Sequence, residues 1–239
     1  MSSSFQFTFN NIQKQFQDVL AENYKVITCA EYVEFKGSDE FSKLLINRVD
    51  IDFNMNKARR LMELFNALDI KATFFIRLHA PEYNPFSFEN YKILKAILSS
   101  GHEVGYHSEI VDQAAIWEED AAECLTRDLQ AINNMLGIEI KGVASHGGMT
   151  GLNNLDFWKD RKPSEFGLLY EAYDKQPEFN LFQDSFYISD SNWTSWKCYD
   201  KGELVENNDL SLGEHAKDNH ELIYSLIHSD TYFDEHFYE

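Results

Sequence analysis

The stretch that most constrains the fold lies at residues 44–54 and reads LLINRVDIDFN. Its three leading apolar residues, followed by Val49 and Ile51, have the pattern of a strand buried inside a sheet. Asp50 and Asp52 alternate with those residues, so both carboxylates project from one face near the end of the strand. Two carboxylates held this close repel each other unless a cation or a proton lies between them, although the same pair also occurs as two solvated acids in a turn.

A repeated alternation of strands and helices surrounds this stretch. Apolar runs predict further strands at 24–27, 72–76, 103–106, 140–144, 166–172, 184–188 and 222–227. Apolar residues at helical spacing predict helices at 9–22, 54–69, 88–98, 114–136 and 214–219, with connections at 31–41, 81–85, 147–163 and 190–196. Because strands joined through a helix pack in parallel with right-handed crossovers, we expect an α/β fold built on a parallel sheet.

The composition excludes several classes of partner. The chain has 239 residues, 44% of them hydrophobic, which is enough to bury a core and predicts a single domain. We expect residues 1–43 to form an N-terminal extension of one helix and one strand, and residues 44–233 to form the core of the domain. The net charge of −19 disfavours binding to a nucleic-acid backbone or to an anionic membrane.

Cysteine usage and hydropathy indicate the compartment. Cys29, Cys124 and Cys198 are far apart and show no zinc-binding spacing, as expected of reduced thiols. The first residues, MSSSFQFTFNN, lack the basic and apolar regions of a signal peptide. No segment is apolar over the roughly 18 residues that a membrane span requires. The sequence therefore predicts a cytoplasmic protein that does not insert into a membrane.

Polar residues that bind metals or move protons recur where the predicted strands end. They are Asp50, Asp52, His79, His107, Glu109, His146, Asp190 and His228. The carboxyl ends of parallel strands meet at one rim, which is where α/β barrels build their active sites. A single histidine there is most often an ordinary surface side chain. Four histidines together with carboxylates fit a divalent metal such as zinc, with open positions for water and substrate.

Five segments resemble the polysaccharide deacetylase family, which comprises the NodB homology domains of carbohydrate esterase family 4. These segments are RVDID, ATFFI, GHEVGYHSE, SHGG and LIHSD, and the resemblance covers residues 44–233. The sequence is most similar to a divergent group of deacetylase-like proteins found with surface-polysaccharide genes. The resemblance implies a distorted (β/α) barrel of about seven strands. It also implies a metal-dependent hydrolase, with Zn²⁺ as the expected cofactor, that removes N-acetyl groups from an amino sugar or a polysaccharide precursor.

The resemblance also implies roles for individual residues. It makes Asp50 the general base and Asp52 a metal ligand. His107 matches the first metal histidine of the family, and His228 matches the general acid that protonates the leaving nitrogen. In this scheme the metal activates a water, the base takes its proton, and the acid completes the cleavage of the amide bond.

Two departures from the family pattern leave the metal site open. The second metal histidine would stand at position 111, where this chain has Val111. Glu109, Asp112 and His146 are the alternatives, and we favour His146 because it keeps a nitrogen donor on a neighbouring strand. His146 stands where the family has an Arg/Pro motif, so the arginine that normally orients the catalytic aspartate is expected to be missing.

Four residues are candidates for contacting a carbohydrate. His79 lies at the predicted rim, and Asp190 either binds substrate or caps a turn. Trp193 and Trp196 either stack on the face of a sugar or pack at the edge of the core. Two other functions stay open at this point. One is a non-catalytic glycan-binding protein that has lost the second metal histidine, and the other is a hydrolase of a different small amide.

Overall fold

The computed structural model describes residues 7–36, 42–173 and 179–235 of the chain. The strands in these ranges are β1 (Lys25–Ile27), β2 (Leu44–Ile51), β3 (Thr73–Ile76), β4 (Glu103–Ser108), β5 (Gly142–Ser145), β6 (Tyr170–Glu171), β7 (Phe186–Ser189), β8 (Lys197–Asp200), β9 (Glu203–Val205) and β10 (Leu222–His228). The α-helices are α1 (Phe9–Ala21), α2 (Cys29–Phe35), α3 (Met55–Ala67), α4 (Phe88–Ser99), α5 (Ile110–Trp117), α6 (Ala121–Leu136), α7 (Leu181–Asp184) and α8 (Leu212–Ala216). Short 3-10 helices occupy Asn154–Trp158, Pro163–Phe166 and Ser229–Thr231.

A parallel sheet forms the centre of the fold. Seven strands lie side by side in the order β6-β5-β4-β3-β2-β10-β7, and each neighbouring pair among them is parallel. The antiparallel pair β8 and β9 extends the sheet beyond β7. Strand β1 pairs with the first residues of β2, on the same side of β2 as β3, which pairs with the later residues. The predicted α/β class with a parallel sheet is confirmed. Within the described ranges the pairings form an open path that does not join β6 to β9, so closure into a barrel is not shown.

Strand β2 is buried on both faces, which explains its nearly continuous apolar character. Leu45 and Val49 pack into one apolar core with residues of α1, α3, α4 and α6. Ile46 packs on the other face into a second core that is rich in tyrosine and phenylalanine. Because side chains alternate along a strand, Arg48 and Asp50 fall on the same face as Ile46. The sheet therefore carries a charged pair inside its aromatic core.

The helix after β2 begins and ends where the sequence predicts. Asn54 caps α3 with its side-chain oxygen, which accepts a hydrogen bond from the N–H of Asn56 at 2.9 Å. The chain leaves this helix through Asp69, whose φ of 55° is a left-handed conformation that a short polar residue tolerates. Gly101, with φ of 79°, turns the chain after α4 in the same way. These short turns bring β3 alongside β2 and β4 alongside β3, each pair parallel.

The single helix predicted at residues 114–136 is wrong. Glu118 turns the chain out of α5 with φ of 57°, and only two residues separate it from the start of α6 at Ala121. Asp120 caps that second start by accepting hydrogen bonds from the N–H groups of Ala122 and Glu123. The apolar periodicity extends across this break, so it predicts the two helices as one.

Two other segments differ from the sequence prediction. The connection expected at 31–41 begins inside α2, which Thr28 and Glu31 stabilise with a capping box, and residues 37–41 lie outside the described part of the chain. The strand expected at 166–172 is reduced to the two residues of β6. The hairpin of β8 and β9 is an additional element, and its mostly exposed or half-buried side chains give no strong apolar pattern.

Hydropathy along the helices bears on membrane insertion. Over the ranges that the structure describes, the helices are either too short or too polar to cross a bilayer.

Candidate active site

The sheet order brings four of the sequence-predicted strand ends to one rim. Asp50 and Asp52 lie at the end of β2, and His228 ends the adjacent strand β10 in register with Asp50. His107 lies near the end of β4, and His146 follows β5, which pairs with β4. Residues spread over almost 180 positions of the chain therefore meet at the carboxyl edge of the sheet, as parallel strands require.

Asp52, His107 and His146 form a cluster that could hold a metal ion. One ligand atom from each of the three residues lies within 4.8 Å of the other two. The Nε2 atoms of His107 and His146 lie 3.4 and 3.8 Å from Oδ1 of Asp52. The two imidazole rings are nearly perpendicular, with centroids 4.9 Å apart. Among the three alternatives to the missing histidine at position 111, the structure brings His146 into this cluster.

A hydrogen bond to the backbone fixes the hydrogen on Nδ1 of His107. Its Nδ1 lies 2.8 Å from the carbonyl oxygen of Ala144, which can only accept, so Nδ1 carries the hydrogen. In the neutral ring, Nε2 is then a bare lone pair that faces Oδ2 of Asp50 at 3.3 Å and Oδ1 of Asp52 at 3.4 Å. Oδ1 of Asp52 is buried and accepts no hydrogen bond from the described residues. A bare nitrogen between two carboxylates requires a cation or a proton, so this donor set fits a divalent metal such as zinc.

An arginine orients Asp50, contrary to the expectation from the family pattern. Nε and Nη2 of Arg48 donate to the two carboxylate oxygens of Asp50 at 2.8 and 2.7 Å, in a two-pronged ion pair that is almost fully buried. Burial raises the pKa of Asp50, but Arg48 and then His107 outweigh it and hold that pKa below its usual value. The alternation of residues in β2 contains the signal for this pair, since positions 48 and 50 share a face.

Glu109 supports the cluster from behind His146 and does not join it. Its Oε1 lies 3.3 Å from Nδ1 of His146 and accepts a hydrogen bond from Nη2 of Arg77 at 2.8 Å. Burial raises the pKa of Glu109, but His146 and Arg77 lower it to about 2. Arg77 also donates to the backbone oxygen of Asp52 at 3.0 Å. A carboxylate in this position fixes the orientation of a metal-binding histidine.

Asp112 is committed to a different role. Its carboxylate accepts hydrogen bonds from the N–H groups of Met149 and Thr150, the hydroxyl of Thr150 and the side-chain amide of Asn154. Four donors saturate a carboxylate, so Asp112 stabilises the loop after β5 and is not a third ligand. Val111 packs against the helix-covered core.

His228 forms a second polar unit at the same rim. Its Nδ1 lies 2.6 Å from Oδ1 of Asp190, and its backbone N–H also bonds this carboxylate. Burial lowers the pKa of His228, but Asp190 and more weakly Asp50 and Asp52 raise it to about 9. Asp190 is completely buried, and its carboxylate lies against His228, so a direct contact with substrate stays a prediction. Asp190 orients the ring of His228 and favours its protonated form.

The two tryptophans occupy different environments. Trp193 is 49% exposed and stacks on His228, with ring centroids 6.2 Å apart and planes 26° apart. Trp196 is only 4% exposed and packs against Phe7 at a centroid distance of 5.5 Å. Of the two alternatives predicted for Trp196, the structure favours packing in the core. Trp193 remains available to a ligand at the rim.

His79 lies at a cavity next to the cluster. Its Nε2 lies 3.1 Å from Oδ2 of Asp128, and its ring meets the indole of Trp117 edge-on at 5.0 Å. The cavity has a volume of about 280 Å³, and its lining includes His79, Gln113 and Trp117 together with Glu109. Glu109 both lines this cavity and lies next to His146, so the cavity adjoins the candidate metal cluster.

Solved structures that match part of this chain include two deacetylases. No protein-family model and no curated protein sequence matches the chain. The chitin deacetylase from the fungal pathogen Colletotrichum lindemuthianum is 18% identical, with a TM-score of 0.33, over 42% of this chain and 45% of that one. The Streptococcus pyogenes deacetylase PplD, solved in complex with acetate, is 14% identical, with a TM-score of 0.41, over 55% of this chain and 59% of that one. The chain thus spans about half the length of these structures, and the site described above is assigned from its own geometry.

Proposed function

We propose that the protein is a metal-dependent hydrolase that removes N-acetyl groups from an amino sugar or a polysaccharide precursor. The observation that carries this proposal is the convergence of Asp52, His107 and His146, with Asp50 and His228 beside them at the same rim. A metal cluster flanked by one carboxylate and one protonated imidazole has the groups required for amide hydrolysis. The motifs RVDID and GHEVGYHSE support the choice of an acetylated sugar as substrate.

Asp52, His107 and His146 would hold the metal. A divalent ion bound there supplies a Lewis acid, which makes a nearby water more acidic and stabilises negative charge on oxygen. The donor hydrogen of His107 is already committed to Ala144, which leaves its Nε2 facing the cluster. Glu109 faces His146 from its Nδ1 side at 3.3 Å, where a carboxylate would orient a histidine that binds metal.

Asp50 and His228 would carry the proton transfers. The ion pair with Arg48 keeps Asp50 ionised at neutral pH, so its carboxylate is able to accept a proton from the attacking water. His228 has a pKa of about 9, so it is protonated at neutral pH and able to donate to the departing nitrogen. An amine leaves far more readily than an amide anion, and this proton therefore decides whether the C–N bond breaks. Asp190 keeps the donating ring in place.

The surroundings of the cluster support a carbohydrate ligand. The exposed indole of Trp193 beside His228 offers an apolar face with a polar edge, which is the surface that pyranose rings prefer for stacking. The cysteines in this chain, Cys29, Cys124 and Cys198, are free and buried, which supports action on a precursor inside the cell.

The test is acetate release from a panel of N-acetylated amino sugars and short oligosaccharides. Asp50→Asn should reduce kcat by about 100-fold or more, because it removes the proton acceptor with little change in shape. Asp209→Asn makes the same change of charge at an exposed position and should leave acetate release intact. Acetate release that persists undiminished in Asp50→Asn would overturn the role of this residue as base. A protein that binds stoichiometric zinc but releases no acetate from any member of the panel would favour a different amide substrate.

A further inference from the structure

A second group of metal-binding side chains lies far from the candidate active site. His215 is in α8, and Asp218 and His220 lie in the turn that joins α8 to β10. One ligand atom from each of these residues lies within 4.8 Å of the other two. The turn precedes the first residue of β10, whereas His228 ends that strand, so the length of β10 separates the two groups by about 20 Å.

The hydrogen bonds of Asn208 determine which ring nitrogen of His215 carries a hydrogen. The amide nitrogen of Asn208 donates to the carbonyl oxygens of Leu210 and Trp196, and its Oδ1 accepts from the N–H of Leu210. The orientation of the amide is therefore determined, and Oδ1 is the atom that meets Nε2 of His215 at 2.8 Å. Nε2 must carry the hydrogen, because an amide oxygen cannot donate. In the neutral ring, Nδ1 of His215 is a bare lone pair.

That lone pair is placed to bind a cation. Nδ1 of His215 is buried and accepts no hydrogen bond from the described residues, and Oδ2 of Asp218 lies 3.6 Å from it. A lone pair and a carboxylate that face each other repel unless a cation or a proton lies between them. A histidine whose other nitrogen donates to a fixed acceptor is also the usual form of a metal ligand.

His220 supplies a second unsatisfied nitrogen. Its ring stacks on Phe186 of β7, with centroids 4.1 Å apart and planes 17° apart. Its Nε2 is buried, and no residue in the described ranges donates to it or accepts from it. Two imidazole nitrogens at this turn, Nδ1 of His215 and Nε2 of His220, are therefore buried without a hydrogen-bonding partner among the described residues. Cys198 lies on the other side of the His215 ring, with its Sγ 3.7 Å from Nε2, so it does not face the lone pair on Nδ1.

We propose that His215, Asp218 and His220 form a second, structural site for a divalent transition metal such as zinc. Two imidazole nitrogens and one carboxylate oxygen are a donor set suited to that ion, with the remaining position open to water. Since Asp218 is 55% exposed, the ion can enter from solvent. The bound ion fastens the turn before β10 to the neighbouring helix α8, both of which pack on Phe186 of β7.

The experiment counts the zinc bound by chelator-stripped, full-length protein at pH 7.5. Zn²⁺ alone is titrated against a chromophoric competitor, and metal retained after gel filtration is measured by mass spectrometry. Asp218→Asn and His220→Ala each remove one proposed ligand at a position that is not fully buried, and Asp209→Asn is the matched control for the loss of an exposed charge. Asp52→Asn removes a ligand of the candidate active site and separates the two sites. Circular dichroism checks that each variant is folded.

Wild type and Asp209→Asn should each bind two zinc ions, and each of the other variants should lose one of them. The affinity of the site lost in Asp218→Asn should fall by at least about 100-fold, since the loss of a ligand exceeds the loss of a second-shell partner. Zinc at 100 times Kd of this site should also raise Tm of Asp52→Asn by about 5–10 °C, an increase absent when Asp218→Asn is combined with it.

The inference is overturned if Asp218→Asn and His220→Ala bind as many zinc ions as wild type, with unchanged affinity. It is also overturned if the only ion bound by wild type disappears in Asp52→Asn. If wild type binds one ion that survives Asp52→Asn and is lost in Asp218→Asn, the structural site stands and the metal-dependent active site fails.

Discussion

Asp190→Asn tests the proposed proton donor most directly. The substitution keeps an acceptor oxygen for His228 and removes the negative charge that lies 2.6 Å from its Nδ1. Burial alone lowers the pKa of His228, and Asp190 is the largest contribution that raises it to about 9. Without that charge, the pKa should fall towards the ordinary value of about 6.5.

The expected effect on activity follows from the fraction of His228 that is protonated. At pH 8, a group with a pKa of about 9 is protonated in about 90% of molecules, and one with a pKa of about 6.5 in about 3%. If His228 is the general acid, acetate release at pH 8 should fall about 30-fold, and the alkaline limb of the rate profile should shift towards pH 6.5.

The same shift predicts a pH-dependent loss of stability. The folded pKa of about 9 lies above the unfolded value of about 6.5, so the charged ring stabilises the fold fully below pH 6.5. That stabilisation, about 3 kcal/mol, is lost as the pH rises from 6.5 to 9. Urea unfolding should therefore show the largest difference between wild type and Asp190→Asn at pH 6, and little difference above pH 9.

The assay is an NMR titration of the His228 ring in metal-free protein, together with the pH–rate profile of the zinc-loaded enzyme. Asp209→Asn is the control for an exposed charge, and both of its curves should overlie those of wild type. A pKa of His228 that stays near 9 in Asp190→Asn would refute the reasoning about its cause. A fall in that pKa without any change in the rate profile would refute the role of His228 as the acid.

Three further substitutions test the rest of the site. Arg48→Met leaves the buried carboxylate of Asp50 without its counterion and should lower the free energy of unfolding by about 3–5 kcal/mol. Arg59→Met removes an arginine from an exposed ion pair and should lower it by under about 1 kcal/mol. Equal losses of the two variants in urea titrations would contradict the argument. His146→Ala should abolish zinc binding at the candidate active site, and Glu109→Gln should weaken it by about 10–100-fold in competition titrations. A larger loss in Glu109→Gln than in His146→Ala would reverse their assigned roles. Trp193→Ala should raise KM for an oligosaccharide by about 2–10-fold with little change in kcat, and an unchanged KM would exclude stacking on this indole.

The sequence predicts the α/β class and most strand positions well because β2, β3 and β10 are buried on both faces and carry strong apolar patterns. It is less informative where partners are distant in the chain. The burial of Trp196 depends on Phe7, almost 190 positions away, so local sequence does not distinguish it from the exposed Trp193. The pairing of Glu109 with Arg77 also joins residues far apart in the chain, 32 positions, and without it Glu109 is as good a ligand candidate as His146.

Arg48 is a different case, because its signal is local. It stands two positions before Asp50, and strand alternation alone places both side chains on one face. The expectation that the orienting arginine would be missing came from the position of the family motif near His146. The relation between neighbours in β2 is the better guide here, since it follows from strand geometry.

The placement of Arg48 in the same strand as Asp50 has a consequence for how the rim is assembled. An acid and its counterion that share one strand form a preassembled unit, and rearrangement of a loop elsewhere does not separate them. Because Arg48 orients Asp50 from within β2, the position after β5 is free to carry the nitrogen donor of His146. A histidine placed at position 111 should therefore leave the orientation of Asp50 unaffected.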